Sequence, residues 1–289
     1  MRHPSVPESL DSWSILHRMF RFDRARYAAL DARRKADAER EAVALFTSLA
    51  DGAETDVSLA QVLGHKADLM MTHYAKSFDA LGTVEMRVDA LALRAFLEPV
   101  SSYVSVLELG LYEATGKIHA TLQERGLKAH SDEWTAAFDA LLEEQARNPR
   151  NAGRLWAKIP RRRYVCFYPM DKKRGEGINW YLLPYEERAA LMVDHGKIGR
   201  SFHGLVNQVI SGSIGFDDWE WGVDLYADDP LVFKKLIYEM RFDEASAKYA
   251  AFGPFYTGLQ FSVPQLPHFL AGHEVPALLA NDVRETVLR

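Results

Sequence analysis

The chain has 289 residues, of which 48% are hydrophobic and 26% charged, so it can bury a large core and is long enough for two modest domains. Its net charge of -5 gives no electrostatic basis for binding nucleic acid. The single cysteine, Cys166, excludes an internal disulfide, and the first thirty residues lack a signal-peptide core or a membrane span, so we expect a cytoplasmic protein.

The first half of the sequence predicts the order strand, helix, strand, strand, helix, strand. We expect strands at residues 12–22, 56–63, 67–75 and 102–109, and helices at residues 24–49 and 78–96. Because proline cannot continue a helix, Pro99 is expected to separate the second helix from the last strand.

The middle of the chain predicts a helical insertion. Residues 115–151 are rich in Ala, Leu, Glu and Lys, with aromatic and leucine residues at helical spacing. We expect this insertion to lie on the surface or to line an entrance. The basic run at residues 161–163 is interpreted as a solvated loop rather than as a site for acidic groups.

The second half repeats the same order. We expect strands at residues 164–168, 205–214, 219–226 and 255–261, a helix that begins at Pro184, and a helix at residues 231–247. Pro169 is expected to end the first of these strands. Residues 215–218, Gly-Phe-Asp-Asp, predict a hairpin turn.

This order is that of the ferredoxin-like split βαβ unit, present twice. The predicted fold class is α+β, with two ferredoxin-like split βαβ domains forming a dimeric α+β barrel. The expected divisions are an N-terminal ferredoxin-like domain at residues 1–114, a helical insertion and linker at residues 115–153, a C-terminal ferredoxin-like domain at residues 154–262 and a tail at residues 263–289.

His195 is the candidate metal ligand. Leu191, Met192 and Ile198 share its helix face, which predicts an inward-pointing imidazole. Glycines at 196, 199 and 204 suggest that something comes close to this backbone, and a flat macrocycle with an axial imidazole is one such object. A satisfied core histidine is the structural alternative. Zinc is a weaker candidate, since His203 lies eight residues on and the sequence shows no closed four-ligand spacing.

Several other side chains are candidates for chemistry, each with a plainer alternative. Gln208 could point between helix and sheet, or be an ordinary edge-strand residue. Tyr168, near Trp180 and Trp221, could be packing or an oxidisable site. Four residues could bind carboxylates or form surface ion pairs: Arg154, Lys172, Arg241 and Ser246. Arg241 is the strongest of these, because it follows apolar residues at a helix end.

Five segments resemble the coproheme decarboxylase family, hydrogen-peroxide-dependent haem synthases of the chlorite dismutase superfamily, most closely its Firmicutes-type branch. They are YPMDKK, NWYLLPYEERAALMVDHGKIGR, ISGSIGFDDWEWGVDLYADD, FKKLIYEMRFDEASAKY and FGPFYTG. The resemblance is dense over residues 154–258 and looser over residues 12–109, which contain WSILH, GHKADLMM and SYVSVLEL.

The resemblance implies a role for each matching residue. His195 would be the proximal iron ligand and Gln208 would lie on the distal side. Tyr168 would be the catalytic residue that becomes a radical, and Lys172 would bind the propionate being processed. The remaining residues would hold propionates or line the pocket: Arg154, Arg241, Ser246, Met170, Trp180, Trp221 and Tyr112. Ala152 departs from relatives that carry a basic residue there.

The resemblance also implies a reaction and partners. Iron coproporphyrin III (coproheme) would be both substrate and redox centre, and two of its propionates would become vinyl groups to give haem b. The family assembles as homopentamers, and a transient contact with coproporphyrin ferrochelatase is expected. A chlorite dismutase-like enzyme is the first alternative, although Gln208 stands where such enzymes carry arginine. A non-catalytic haem-binding or transfer protein is the second, although Tyr168 and Lys172 favour an enzyme.

Overall fold

The computed structural model describes residues 6–50, 52–109, 111–129 and 131–283. The strands are β1 (Leu10–Phe22), β2 (Thr55–Val62), β3 (Leu69–Ala75), β4 (Leu97–Leu109), β5 (Tyr164–Lys172), β6 (Asn207–Gly212), β7 (Trp221–Ala227), β8 (Ala250–Phe252) and β9 (Tyr256–Phe261). The α-helices are α1 (Arg24–Ala28), α2 (Ala32–Leu49), α3 (Phe78–Asp89), α4 (Leu111–Glu124), α5 (Asp132–Arg147), α6 (Pro149–Leu155), α7 (Tyr185–Ser201), α8 (Leu231–Met240), α9 (Glu244–Ala247) and α10 (Leu266–Ala271).

The strands form two half-sheets with the same internal order. In the first half-sheet the order is β4-β1-β3-β2, and in the second it is β6-β7-β5 followed by β9, with β8 beside the far end of β5. Both are the antiparallel order of the split βαβ unit. The α+β class and the ferredoxin-like order predicted for both halves are confirmed.

The two half-sheets join at both edges. β2 pairs with β9 over Leu59–Val62, and β4 pairs with β6 at Val106 and Leu107. With β5 paired to β7 from Tyr164 to Met170, the pairings form a closed ring of strands. Closure removes the free sheet edges that would otherwise invite pairing with another chain.

Alternation along the strands divides the core into layers. Alternate residues such as Ile15, Tyr74, Phe167 and Tyr226 pack together inside the ring. The outer face of the first half-sheet is covered by α2 and α10, and that of the second by α7 and α8. Helices α4 and α5 pack on each other through their own apolar cluster.

Two predicted strand boundaries are wrong for the same reason. Pro99 lies inside β4, opposite Phe20 at a register shift, and Pro169 lies inside β5, opposite Gly222. Proline is tolerated at an irregularity or where its missing N–H leaves no ladder bond unmade. The carbonyl of Pro169 still accepts a hydrogen bond from Gly253 N, so the strand continues to Lys172.

The predicted long helices are divided by aspartate caps. Asp31 accepts a hydrogen bond from Arg34 N and starts α2, which interrupts the helix expected at residues 24–49. Asp243 does the same for α9 and divides the helix expected at residues 231–247. The helix expected at residues 78–96 ends at Asp89 and is followed by a 3-10 turn. At Asp31 and Asp243, the side-chain cap competes with helix continuation.

The basic run at residues 161–163 is not a solvated loop, contrary to expectation. The guanidinium of Arg161 is buried against Asp56 at 2.9 Å, and Arg162 donates to Asp228 at 3.1 Å and to Leu205 O. Arg163 donates to Gln260 O and Pro276 O. These residues therefore tie the two half-sheets and the C-terminal segment together.

Within the described residues, no helix is long and apolar enough to cross a membrane.

Candidate functional site

The candidate residues gather between the second half-sheet and its helices. Along β5, Val165 and Phe167 face the ring interior, whereas Cys166 and Tyr168 pack toward α7 and α8. Because alternate residues of a strand share a face, Met170 and Lys172 lie on the same outer side as Tyr168. The outer face of β5 thus carries three of the predicted site residues in a row.

His195 is held by a carboxylate that lies 48 positions further along the chain. Its Nδ1 lies 3.1 Å from Asp243 Oδ2 and 3.4 Å from Ser246 Oγ. Burial tends to raise the pKa of Asp243, but the hydrogen bond and charge of His195 and the hydrogen bonds from Ser246 outweigh it and lower the pKa. The carboxylate is therefore ionised and accepts the Nδ1 proton, which leaves Nε2 as the ring atom able to bind a metal.

Lys172 lies in the same cluster. Its ammonium donates to Ala245 O at 3.0 Å and lies 4.3 Å from the centre of the Trp180 ring. Burial lowers the pKa of Lys172 to about 8, against the opposing charges of Asp243 and Glu220. With this pKa, the charged ammonium form of Lys172 can bind a carboxylate, and it can also release a proton near neutral pH.

Tyr168 lies further back along β5, about 13 Å from Lys172 at about 3.3 Å per residue. Its ring stacks on Phe255 at 4.4 Å and packs against Phe252. Burial raises the pKa of the Tyr168 phenol well above its usual value, so the phenol stays protonated at neutral pH. Arg241 follows α8 and places its guanidinium 3.9 Å from the centre of the Phe252 ring, on the Tyr168 side of the site.

Gln208 contacts helix α7 directly. Its Nε2 donates to Gly199 O at 3.1 Å, one turn beyond His195, so β6 and α7 touch at this point. The clearance inferred from the three glycines needs correction. A Cβ at position 199 would meet Gln208 at an ordinary 3.5 Å, and Gly204 is required by its φ of +81° rather than by close approach of a ligand.

Met170 and Trp221 lie opposite each other on β5 and β7. The Trp221 indole N–H donates to Glu108 Oε1 at 2.9 Å, across the junction between the half-sheets. Tyr112 packs its ring against Trp180 at 6.3 Å, and its hydroxyl accepts a hydrogen bond from Arg188. These three predicted residues therefore border the cluster around Lys172.

Arg154 lies on a different element from the other candidates. It belongs to α6, which packs on α5, β1 and β4. Its predicted role toward a propionate stays a prediction. The same holds for the chemical roles assigned to all the other candidates.

The sequence interpretation missed Asp243 and Glu108. Asp243 could have been suspected, because Asp-Glu-Ala-Ser is typical of a helix start, but its contact with His195 depends on tertiary structure. Glu108 gave no sequence signal. Across the described part of the chain, no three His, Cys, Asp or Glu side chains come together as a metal-binding group, so zinc gains no support.

Comparison with known proteins gives a consistent result. Residues 35–261 match the family model described as chlorite dismutase. A coproheme decarboxylase of Staphylococcus saprophyticus is 39% identical over 259 residues, covering 88% of this chain and 94% of that protein. A coproheme decarboxylase of Thermus thermophilus is 39% identical over 273 residues, covering 93% and 98% of the two proteins.

A solved structure supports the same relationship. A protein from Thermus thermophilus, described as a heme-binding protein, superposes with a TM-score of 0.78 at 38% identity. The match covers 94% of this chain and all of that one.

Proposed function

This chain belongs to the chlorite dismutase family, and we propose that within it the protein is a coproheme decarboxylase. The proposed reaction converts two propionates of iron coproporphyrin III to vinyl groups with hydrogen peroxide, giving haem b. For each propionate, one peroxide is reduced to two waters while the side chain loses carbon dioxide and two hydrogens. The observation that carries the proposal is the 39% identity to two coproheme decarboxylases over about nine-tenths of the chain.

The donor set around α7 fits an iron porphyrin. The Asp243 carboxylate fixes the Nδ1–H tautomer of His195 and increases the basicity of Nε2, the arrangement found behind most metal-binding histidines. The bound porphyrin would supply the redox chemistry. Its carboxylates would meet the cations nearest the outer face, Lys172 at one end and Arg241 at the other, with Arg154 and Ser246 as further candidates.

The chain's own residues would then perform three tasks. His195 would hold the iron. Lys172 would orient the reacting propionate and would donate a proton to it or accept one from it. Its pKa of about 8 allows both the ammonium and the neutral amine form near neutral pH. Tyr168 would give its Oη hydrogen atom to the peroxide-derived oxidant that the bound porphyrin would supply, and would then take a hydrogen atom from the propionate side chain. Loss of carbon dioxide and one further electron to the same oxidant would leave the vinyl group. Its stacked position between Phe255 and Phe252 keeps water away from the phenol.

A contact between sheet and helix must change if the porphyrin lies between them. Gln208 donates to Gly199 O of α7, so a planar ligand entering beside His195 would have to break this hydrogen bond. The freed Gln208 amide would then face the distal side of the ring. We include the homopentamer in the proposal on family grounds.

The test is direct. Purified protein is mixed with coproheme, titrated with hydrogen peroxide, and the porphyrin is followed by mass spectrometry. Two successive losses of carbon dioxide and two hydrogens are expected. Binding without any mass change would favour the haem-binding alternative suggested by the description of the Thermus structure. Conversion of added chlorite to chloride and oxygen would favour the chlorite dismutase alternative.

A further inference from the structure

Glu108 forms an unusual contact at the junction where the two half-sheets meet. The ladder between β4 and β6 comprises Val106 opposite Gly212 and Leu107 opposite Ser211. Just beyond it, the carboxylate of Glu108 accepts the indole N–H of Trp221 at 2.9 Å. The side chain of Trp221 thus extends from β7 across β6 to reach a residue of β4.

Gly212 leaves open the space that the Glu108 carboxylate fills. A Cβ at Gly212 would lie 2.8 Å from the carboxyl carbon of Glu108, so a larger residue there would push the Glu108 side chain away from its present position. The carboxylate therefore occupies the space that a side chain on β6 would otherwise fill. This built arrangement distinguishes Glu108 from a surface acid that happens to meet a tryptophan.

Trp221 connects this contact to the candidate site. It lies opposite Met170, on the outer face of β5 that also carries Tyr168 and Lys172. We propose that Glu108 is a positioning residue, which fixes the Trp221 indole at the border of the porphyrin pocket by accepting its N–H. Gain or loss of the Glu108 proton then changes the strength of this hydrogen bond. The part concerning porphyrin rests on the proposed function, whereas the part concerning Trp221 does not.

The surroundings of Glu108 make its proton exchange relevant near neutral pH. Burial raises the pKa of Glu108 to about 7, the Trp221 hydrogen bond opposes this, and the Asp11 charge adds to it. Asp11 faces Glu108 from the neighbouring position on β1, Gly212 faces it from β6 and Trp221 from β7. Helix α6, which also packs on β4, carries Arg154.

The first experiment needs no porphyrin. Tryptophan fluorescence is recorded from pH 5 to pH 9 for wild type and Trp221→Phe, and the difference isolates Trp221. We expect a transition near pH 7 that is absent in Glu108→Gln, which keeps an acceptor oxygen but cannot titrate. Asp11→Asn should move the transition to lower pH, because it removes a like charge. Glu98→Gln, an exposed residue of the same strand, should leave it unchanged.

The second experiment tests the pocket with iron-free coproporphyrin III as the probe. Glu108→Ala should weaken binding about twofold to tenfold, the range for one hydrogen bond, while Glu108→Gln binds more nearly like wild type. Circular dichroism confirms that each variant is folded.

Two results would overturn the inference: a pH transition that persists in Glu108→Gln, or wild-type fluorescence and affinity in Glu108→Ala. If wild type itself failed to bind iron-free coproporphyrin III, the pocket part would fail, whereas the proposed function is decided separately by the coproheme and peroxide titration. The fluorescence arm would still decide whether Glu108 positions Trp221.

Discussion

Asp243 performs two tasks with one carboxylate: Oδ1 accepts from Ser246 N to start α9, and Oδ2 lies 3.1 Å from His195 Nδ1. The orientation of the imidazole is therefore tied to the start of a short helix. Any shift of α9 would move His195 as well.

Asp243→Asn separates these tasks. Asparagine is also a good N-cap, so the folded protein should persist, but a neutral amide gives less support to the imidazole. We expect coproheme affinity to fall about 10- to 100-fold, the range for such supporting partners. The measurement is a spectroscopic titration with coproheme. Asp31→Asn, the cap of α2, is the matched control, and an unchanged affinity in Asp243→Asn would refute the assignment.

Tyr168→Phe tests the proposed radical residue. Since only the Oη atom is removed from a stacked ring, coproheme binding should stay within about twofold of wild type. Vinyl formation should fall by about 100-fold or more, the scale for losing a group that moves a hydrogen in the reaction. Peroxide titration with mass spectrometry gives the measurement. Tyr164→Phe, on the same face of β5, serves as the control, and normal product formation in Tyr168→Phe would rule out the radical role.

The lowered pKa of Lys172 predicts that coproheme affinity depends on pH in a defined direction. Its pKa is lowered to about 8, so the ammonium is mostly charged below that pH and mostly neutral above it. If the ammonium binds a propionate, coproheme affinity should decrease as the pH rises through about 8. Lys172→Met should bind more weakly and lose this step, while Lys173→Met should keep it. Affinity measured from pH 6.5 to 9.5 decides the matter, and a step that survives in Lys172→Met would point to another group.

Breaking the buried ion pair between Arg161 and Asp56 is expected to have a large effect on the free energy of unfolding. Both side chains are buried, at 5% and 0% exposure, so removing the cation leaves a buried carboxylate without its ion-pair partner. Arg161→Met should lower the free energy of unfolding by about 3–5 kcal/mol. Denaturant unfolding measures this. Arg40→Met, which breaks an exposed pair with Asp37, should change it by less than about 0.5 kcal/mol.

A double variant checks the cause. If an unpaired charge is responsible, Arg161→Met combined with Asp56→Asn should recover much of the lost stability. Equal losses in the single and double variants would instead indicate a packing defect around Arg161.

The sequence predicted the architecture because strand alternation and turn residues are local signals. Both half-sheets and the Gly215 turn follow from such patterns. The predictions at Pro99 and Pro169 were wrong because sequence patterns do not show whether a given strand position must donate a backbone hydrogen bond to a neighbouring strand. The same limit explains the run at residues 161–163, whose acceptors lie as far away as Pro276.

For the site, sequence could nominate His195, Lys172 and Tyr168 as chemical types but not their partners. Asp243 reaches His195 across 48 positions, and Glu108 reaches Trp221 across 113. Such contacts depend on how strands and helices are brought together, which periodicity alone does not specify. Of the three glycines near His195, Gly204 has a different explanation from the one inferred, because its backbone φ of +81° favours glycine.

Helix α10 has a consequence for how the protein is made. Leu266, Phe269 and Leu270 belong to the same apolar cluster as Phe20 and Phe22 of β1, although some 245 positions separate them. A ribosome adds residues in order, so the N-terminal βαββαβ unit emerges long before the side chains that finish its core. During translation that unit exposes apolar surface until α10 has been added, and nascent chains stopped before α10 should be clients for chaperones.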